Sequence, residues 1–319
     1  MNMCIQSEMT GGKGMNETSV VFEQEDRKIC EELLSPQRWE KNGKKSISEL
    51  VISVGKHFLE APYVAHAIDG EDVPHATPCN DLLAGKPCSV RDGAQAAEDE
   101  TLIINLRQFD CVTFVENVMA LAQLIEAGKT VFEDFIEHLA RIRYRCGVME
   151  GYSSRLHYFS DWLHDNENKG TVKDMTAKIG GKPCLKKIHF MTGHSQDYPG
   201  LRIDSSYREM RAVEERISGK PLYFIPRTEL ESVEEKIESG DIIGVVTGIE
   251  GLDVIHVGFA LKINNGVHLL HASEVEKKVV VSDNTLNRYL FLEESRLGIL
   301  AGRIQPIPAC QSGDNPLMK

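Results

Sequence analysis

The chain has 319 residues, enough for one large or two ordinary domains. Apolar residues make up 41% of it, so a real core can form, yet no run approaches the ~18 uninterrupted apolar residues of a membrane span. A net charge of −12 argues against nucleic acid and anionic membrane surfaces as partners, because both are polyanions.

Residues 1–22 are polar and are expected to be a disordered N-terminus, with no apolar segment of the kind a signal peptide carries. From residue 23 to about 70 two N-terminal helices are predicted, EDRKICEELL and SISELVISVGKHFLEA. Ser46 caps the second, with Glu49 three residues on at capping-box spacing. Residues 71–99 are rich in Gly, Pro, Asp and Ala and read as an insertion loop. Residues 100–240 are predicted to be mostly helical. Val112, Val115, Val118, Met119, Ala122 and Ile125 recur at helical spacing, with Asp110 as N-cap and Gly128 just past the end. Thr130 and Glu133 have the spacing of another capping box, opening TVFEDFIEHLARIRY. Loop and short strands such as LKKIHFM follow over 166–205, then helices near 207–217 and 228–239. Residues 241–310 read as strands: IIGVVT, VIHVGFAL, GVHLLHAS, KKVVVS and IQPI. Residues 311–319 are a tail. Helices first and a mostly antiparallel sheet second predict an α+β fold in a single domain over 23–310.

Eight cysteines show no zinc pattern: there is no C-x-x-C and no paired histidine at ligand spacing on one helix face. No metal or cofactor is expected. Cys79 and Cys88 flank part of the insertion, where a short disulfide and two free thiols are both open.

Cys111 is placed differently from the other cysteines. It falls in the first turn of its helix, where unpaired N–H groups and the helix dipole favour an anion. A thiol there ionises more readily, and the thiolate is the nucleophilic form. A cysteine nucleophile needs a base and a group to orient that base. In VIHVGFAL, Ile255, Val257, Phe259 and Leu261 share one strand face, which looks like core. His256 shares the other with Gly258 and Ala260, a small-residue floor that the Cys111 helix is expected to cover. His271 ends the next strand on the same face as His256, and His268 points the opposite way. A tight Asn265-Gly266 turn would put His271 opposite Ala260, about 13 Å along the strands from His256. A looser loop over 262–265 would set the two histidines side by side.

These residues form an ordered series: Pro62-Tyr63, Phe109-Asp110-Cys111, Gly240-Asp241 before IIGVV, His256-Val257-Gly258, and His271-Ala272-Ser273. The series resembles the NlpC/p60 superfamily of papain-like cysteine peptidases and amidases that cut bacterial cell-wall peptides. Val112-Thr113 after the cysteine, and the segment Tyr152 to Tyr158, are similar to an N-acetylmuramoyl-L-alanine amidase-like branch. The resemblance covers roughly residues 45–305.

The resemblance implies a papain-like core: a helix bearing the nucleophile packed on an antiparallel sheet, with extra N-terminal helices and insertions. It implies a cysteine amidase acting on the bond between the lactyl group of N-acetylmuramic acid and L-alanine, in peptidoglycan or muropeptides. Cys111 would be the nucleophile, His256 the base and His271 the group that orients it. Tyr63 would line the site. Ser154, Arg155, His157 and Tyr158 are candidate substrate contacts, or else a polar network knitting elements together. Glu116 and Asn117, a turn or more beyond Cys111, could face the site or hold a surface or structural role, and His57, His66, His138 and His164 have no partner in the pattern. The alternatives are a γ-D-glutamyl-diamino acid endopeptidase, a non-catalytic cell-wall binding module, or an acyltransferase. A cell-wall substrate implies the periplasm or envelope after removal of a signal peptide, and the cytoplasm otherwise. No feature sets an oligomeric state.

Overall fold

A computed structural model of the chain describes residues 20–39, 45–65, 100–264 and 266–307. The insertion over 71–99, with Cys79 and Cys88, lies outside them, as do His66, Cys310 and the tail.

Eight strands form one antiparallel sheet: β3 (Val172–Asp174), β4 (Lys182–Cys184), β5 (Leu222–Pro226), β6 (Ile242–Thr247), β7 (Val254–Ile263), β8 (Gly266–Ser273), β9 (Lys278–Thr285) and β10 (Arg296–Ile304). The order across it is β4-β5-β10-β6-β7-β8-β9, with β3 also paired to β10. Two further strands, β1 (Val20–Val21) and β2 (Leu102–Ile103), pair in parallel with each other. Val20 and Val21, within the stretch expected to be disordered, are thus paired strand. The sheet is also not confined to the C-terminal third, since β3, β4 and β5 interrupt the helical part. The last strand is Arg296–Ile304 and not IQPI, and LKKIHFM forms no strand.

Four helices build a layer on one face: α1 (Gln24–Leu34), α2 (Ile47–His57), α3 (Cys111–Glu126) and α4 (Phe132–Arg143). Ser46 caps α2 and forms the capping box with Glu49. The box predicted at Thr130 does not form. The N-cap is Val131, and the Glu133 carboxylate instead meets Arg27 of α1 at 2.7 Å. Phe114 of α3 meets Phe259 of β7 edge-on, with ring centroids 5.8 Å apart. Val257, Leu270 and Ala272 belong to the same buried cluster.

The Cys111 helix thus covers the apolar face of β7 and not the small-residue face predicted for it. The reason is the apolar stripe of α3, which is buried only against an equally apolar surface. The opposite face carries a second core of Val245, Ala260, Val267, Leu269 and Ile299. The short helix α5 (Leu286–Phe291) closes it with Leu286 and Leu290.

Asp241 anchors the centre of this sheet. Its buried carboxylate accepts from Arg303 Nε at 2.8 Å and Nη2 at 2.9 Å, a two-point tie from the start of β6 to β10. Gly240 before it has φ +90°, and a Cβ there would lie 3.1 Å from the backbone of Ser48. The Gly-Asp pair is therefore a structural joint between α2 and the sheet.

Candidate active site

The chain reaches Cys111 through a fixed approach. The Tyr63 N–H donates to the Lys277 carbonyl at 2.9 Å, and the Phe109 N–H donates to Pro62 at 3.0 Å. The Pro-Tyr segment is thereby strung between the β8–β9 turn and Phe109. Phe109 is fully buried between Phe58 (5.0 Å) and Phe114 (5.8 Å). Asp110 then caps α3. Its carboxylate accepts from the Thr113 N–H at 2.7 Å, and its own N–H donates to Thr113 Oγ1 at 2.9 Å. The box is closed by threonine where glutamate is usual. Cys111, half-buried, occupies the first turn as predicted.

His256 and His271 touch. His256 Nε2 lies 2.7 Å from His271 Nδ1, and the rings stand nearly perpendicular, 4.8 Å apart. Neither predicted register holds. Ile263 pairs with Gly266, and Asn264 takes the left-handed conformation at φ 52°. Phe259 therefore pairs with Leu270, and His271 falls beside Gly258, two residues from His256 on the same face. A Cβ on Gly258 would lie 2.8 Å from the Cβ of His271. The absent side chain is what lets the second imidazole lean across the strand to the first.

Two residues that no motif announced complete the cluster. The Tyr289 ring of α5 stands 6.3 Å from His256 and 5.9 Å from His271. The Arg296 guanidinium lies over that ring, 4.0 Å from its centroid. Its Nη1 donates to the Tyr289 carbonyl at 2.8 Å, and its Nη2 to Glu293 at 2.5 Å. Burial, foremost, pushes the Tyr289 phenol up to about 12; Arg296 works against this, and Glu293, Cys111 and Glu274 add to it.

Burial lowers the basicity of both imidazoles. It holds His256 well below the ordinary histidine range, aided by His271 and Arg296. It holds His271 at about 4, aided by Arg296. The pair is accordingly neutral at neutral pH. A cavity of about 420 Å³ opens on it, lined among others by Ser273, Glu274, Tyr289, Glu293 and Arg296.

The segment Tyr152 to Tyr158 makes contacts within the protein. The buried Tyr158 hydroxyl donates to Glu214 at 2.7 Å and accepts from the Met191 N–H at 2.9 Å. Arg155 is buried, 3.2 Å from Glu100, with its guanidinium over the Tyr152 ring. Ser154 Oγ donates to the Gly151 carbonyl, and a ring nitrogen of His157 meets the Tyr152 carbonyl at 3.0 Å. Through Tyr158 and Arg155 these contacts tie the segment to Glu214, Met191 and Glu100. Tyr63 adjoins the Cys111 approach, bridged to Phe109.

A further buried cluster supports α3. Glu116 accepts from Arg143 Nε at 2.7 Å and from Trp162 Nε1 at 3.1 Å. Asn117 donates back to the Thr113 carbonyl at 2.7 Å. Among the described residues no group of three or more His, Cys, Asp or Glu is arranged to hold a metal ion. No helix among them is long and apolar enough to cross a membrane.

The structure defines an α+β protein with a cysteine at a helix tip and a pair of touching histidines beside one tyrosine. Its family follows from comparison. The N-acetylmuramoyl-L-alanine amidase-like (AmiA-like) family matches residues 79–299, and the chain belongs to it. Among solved structures, an N-acetylmuramoyl-L-alanine amidase from Bacteroides uniformis is 32% identical, with a TM-score of 0.69 over 81% of this chain and 99% of that one. A Bacteroides fragilis protein whose given name proposes a xylanase is 34% identical, with a TM-score of 0.68 over 79% and 99%. A Legionella pneumophila protein is 19% identical, with a TM-score of 0.60 over 88% and 95%, and shares the fold. No curated protein matches the chain. The family matched is the amidase-like one. The wider NlpC/p60 superfamily is not what the comparisons return, and that relation rests on the motifs alone.

Proposed function

We propose that this chain is a peptidoglycan amidase with a cysteine nucleophile on a papain-like core related to NlpC/p60 proteins. It would hydrolyse the lactyl–L-alanine amide of muropeptides. Membership of the amidase-like family and likeness to a named amidase support the substrate class. The contact that carries the mechanism is His256 Nε2 to His271 Nδ1 at 2.7 Å. It engages one nitrogen of His256 and leaves Nδ1 to serve as the base.

In this reading His256 Nε2–H donates to His271 Nδ1, which fixes the tautomer. His256 Nδ1 takes the Cys111 thiol proton as sulfur attacks the lactyl carbonyl. The tetrahedral oxyanion forms beside the α3 N-terminus, where the Cys111 N–H can donate to it. The C–N bond then breaks, and His256 returns the proton to the departing alanine amine. Water, deprotonated by His256, splits the resulting thioester and frees the thiol. The low basicity of His256 keeps it unprotonated and ready at neutral pH. Tyr63 is proposed to line the cleft, and Ser154, Arg155, His157 and Tyr158 to contribute to substrate binding. The xylanase name of one neighbour implies glycoside chemistry, which uses paired carboxylates across the scissile bond. A thiol and two imidazoles suit acyl transfer instead.

The test is digestion of defined muropeptides, and of xylan, with product masses read out. An intact peptide beginning with alanine is expected from muropeptides alone, and Cys111→Ala should abolish it with an unchanged circular dichroism spectrum. Retained hydrolysis in that variant would overturn the nucleophile. A peptide cut after its glutamyl residue would replace the amidase by the endopeptidase.

A further inference from the structure

We propose that Arg296 is a positioning residue for the histidine pair, acting through the ring of Tyr289. The inference rests on the catalytic reading of Cys111, His256 and His271 given above.

The geometry assigns this role in three steps. First, Arg296 is turned toward α5 by an irregularity in β10. It pairs with Thr247, whereas Gly298 pairs with Val246, so an extra residue re-aims the strand there. Second, the guanidinium is already engaged. It is 8% exposed, lies 4.0 Å over the Tyr289 ring, and donates to the Tyr289 carbonyl and to Glu293. Those contacts make it a clamp on the ring, and not a free hand for a substrate carboxylate. Third, the clamped ring is a shared wall, 6.3 Å from His256 and 5.9 Å from His271. A second arginine secures the same helix. Arg227 Nη1 donates to the carbonyls of Leu290, Glu293 and Arg296, joining the end of α5 to β10.

The clamp has an electrostatic consequence. The charged groups acting on the pair and its ring are Cys111 from α3, His256 from β7, His271 from β8, Glu274 from the β8–β9 turn, and Glu293 and Arg296 beyond α5. Arg296 is the cation that acts on both imidazoles, and it opposes protonation of either. A stacked, buried arginine thus holds the wall in place and adds to the burial that keeps the base neutral.

The experiment follows alkylation of Cys111 by iodoacetamide against pH, read by mass spectrometry of the Cys111 peptide, together with kcat and KM on a muropeptide. The alkylation readout needs no substrate, so it separates this inference from the choice of scissile bond. Arg296→Met should move the acid limb of both profiles to higher pH and lower kcat about tenfold or more with KM little changed. Arg296→Lys should restore the limb but not the full rate, since charge returns without the planar stack. Glu293→Gln, at a half-exposed position, removes the anion beside Arg296 and should move the limb to lower pH. It stands in for Arg296→Met if that variant does not fold. Acid limbs unmoved in a folded Arg296→Met or in Glu293→Gln would overturn the inference while leaving the amidase reading intact. A wild-type Cys111 no more reactive than a free cysteine at any pH would overturn both.

Discussion

Gly258 occupies the one position on β7 where a methyl group would separate the histidines. Its missing Cβ leaves room for His271, whose own Cβ would otherwise be 2.8 Å away. Gly258→Ala should therefore displace the second imidazole and break the 2.7 Å contact, because the other near atom is the fixed Leu270 carbonyl at 3.1 Å. The expected outcome is a loss of kcat of about tenfold or more. A stability loss of about 1–3 kcal/mol should accompany it, from overpacking. Both are read from muropeptide kinetics and urea denaturation, and an active, equally stable variant would contradict the account. At this scale the sequence was legible where periodicity two applies. It put His256, Gly258 and His271 on one face, but it could not set the offset between them. That offset depends on which residues form the turn, and Asn264 takes a left-handed φ that the Asn265-Gly266 pattern did not indicate.

Helix α3 presents its cysteine because of its cap. Asp110 and Thr113 satisfy each other's backbone N–H groups, so the first turn is held at the position Cys111 needs. Asp110→Ala should cost about 1 kcal/mol of stability, measured by denaturation, and should slow Cys111 alkylation as the turn frays. Asp110→Asn should keep most of both. Capping was readable in Asp110 and in Ser46, where side chain and first turn are neighbours in the chain. It failed at Thr130. There the glutamate that would close the box is drawn to Arg27, more than a hundred residues away, and the helix starts later. Elements α5 and β10 were missed for a related reason. The first is one and a half turns long, and its buried Leu286 and Leu290 are too few to show a period. The second carries glycines that interrupt alternation, each accommodating a close neighbour: Ile225 at Gly298 and Leu163 at Gly302.

The whole molecule keeps several ionisable groups buried and neutral, and this sets its response to acid. His138, with a ring nitrogen 2.8 Å from Gln123 Oε1, is held at about 4 by burial first and by Arg141 and Lys169 second; His271 is also at about 4. Both lie below the ordinary 6.5, so the unfolded chain binds more protons than the native one in between. Their contribution to stability is complete above about pH 6.5 and is lost as pH falls toward 4. Urea denaturation at pH 7 and pH 5 should show that loss, and His138→Gln should make it smaller by removing one titrating group. Glu116 and Arg143, each 2% exposed, are a second whole-molecule feature, tying α3 to α4 with Trp162 as third partner. Removing only one charge leaves the other buried, so Arg143→Met should destabilise by about 3–5 kcal/mol, whereas a double replacement by apolar residues should recover much of it.

Local chemistry was written in the sequence: the capped helix start that exposes Cys111, the strand parity of the histidines, and the ordered motifs that suggested an amidase relative. These depend on neighbours within a few residues, whose geometry a periodicity of 3.6 or 2 dictates. Only the tertiary structure decided which face of β7 takes α3, how far His271 stands from His256, and that Tyr289 and Arg296 complete the cluster. Those outcomes follow from the burial of distant apolar surfaces against one another and from one turn between strands. Neither is specified by any short stretch of residues.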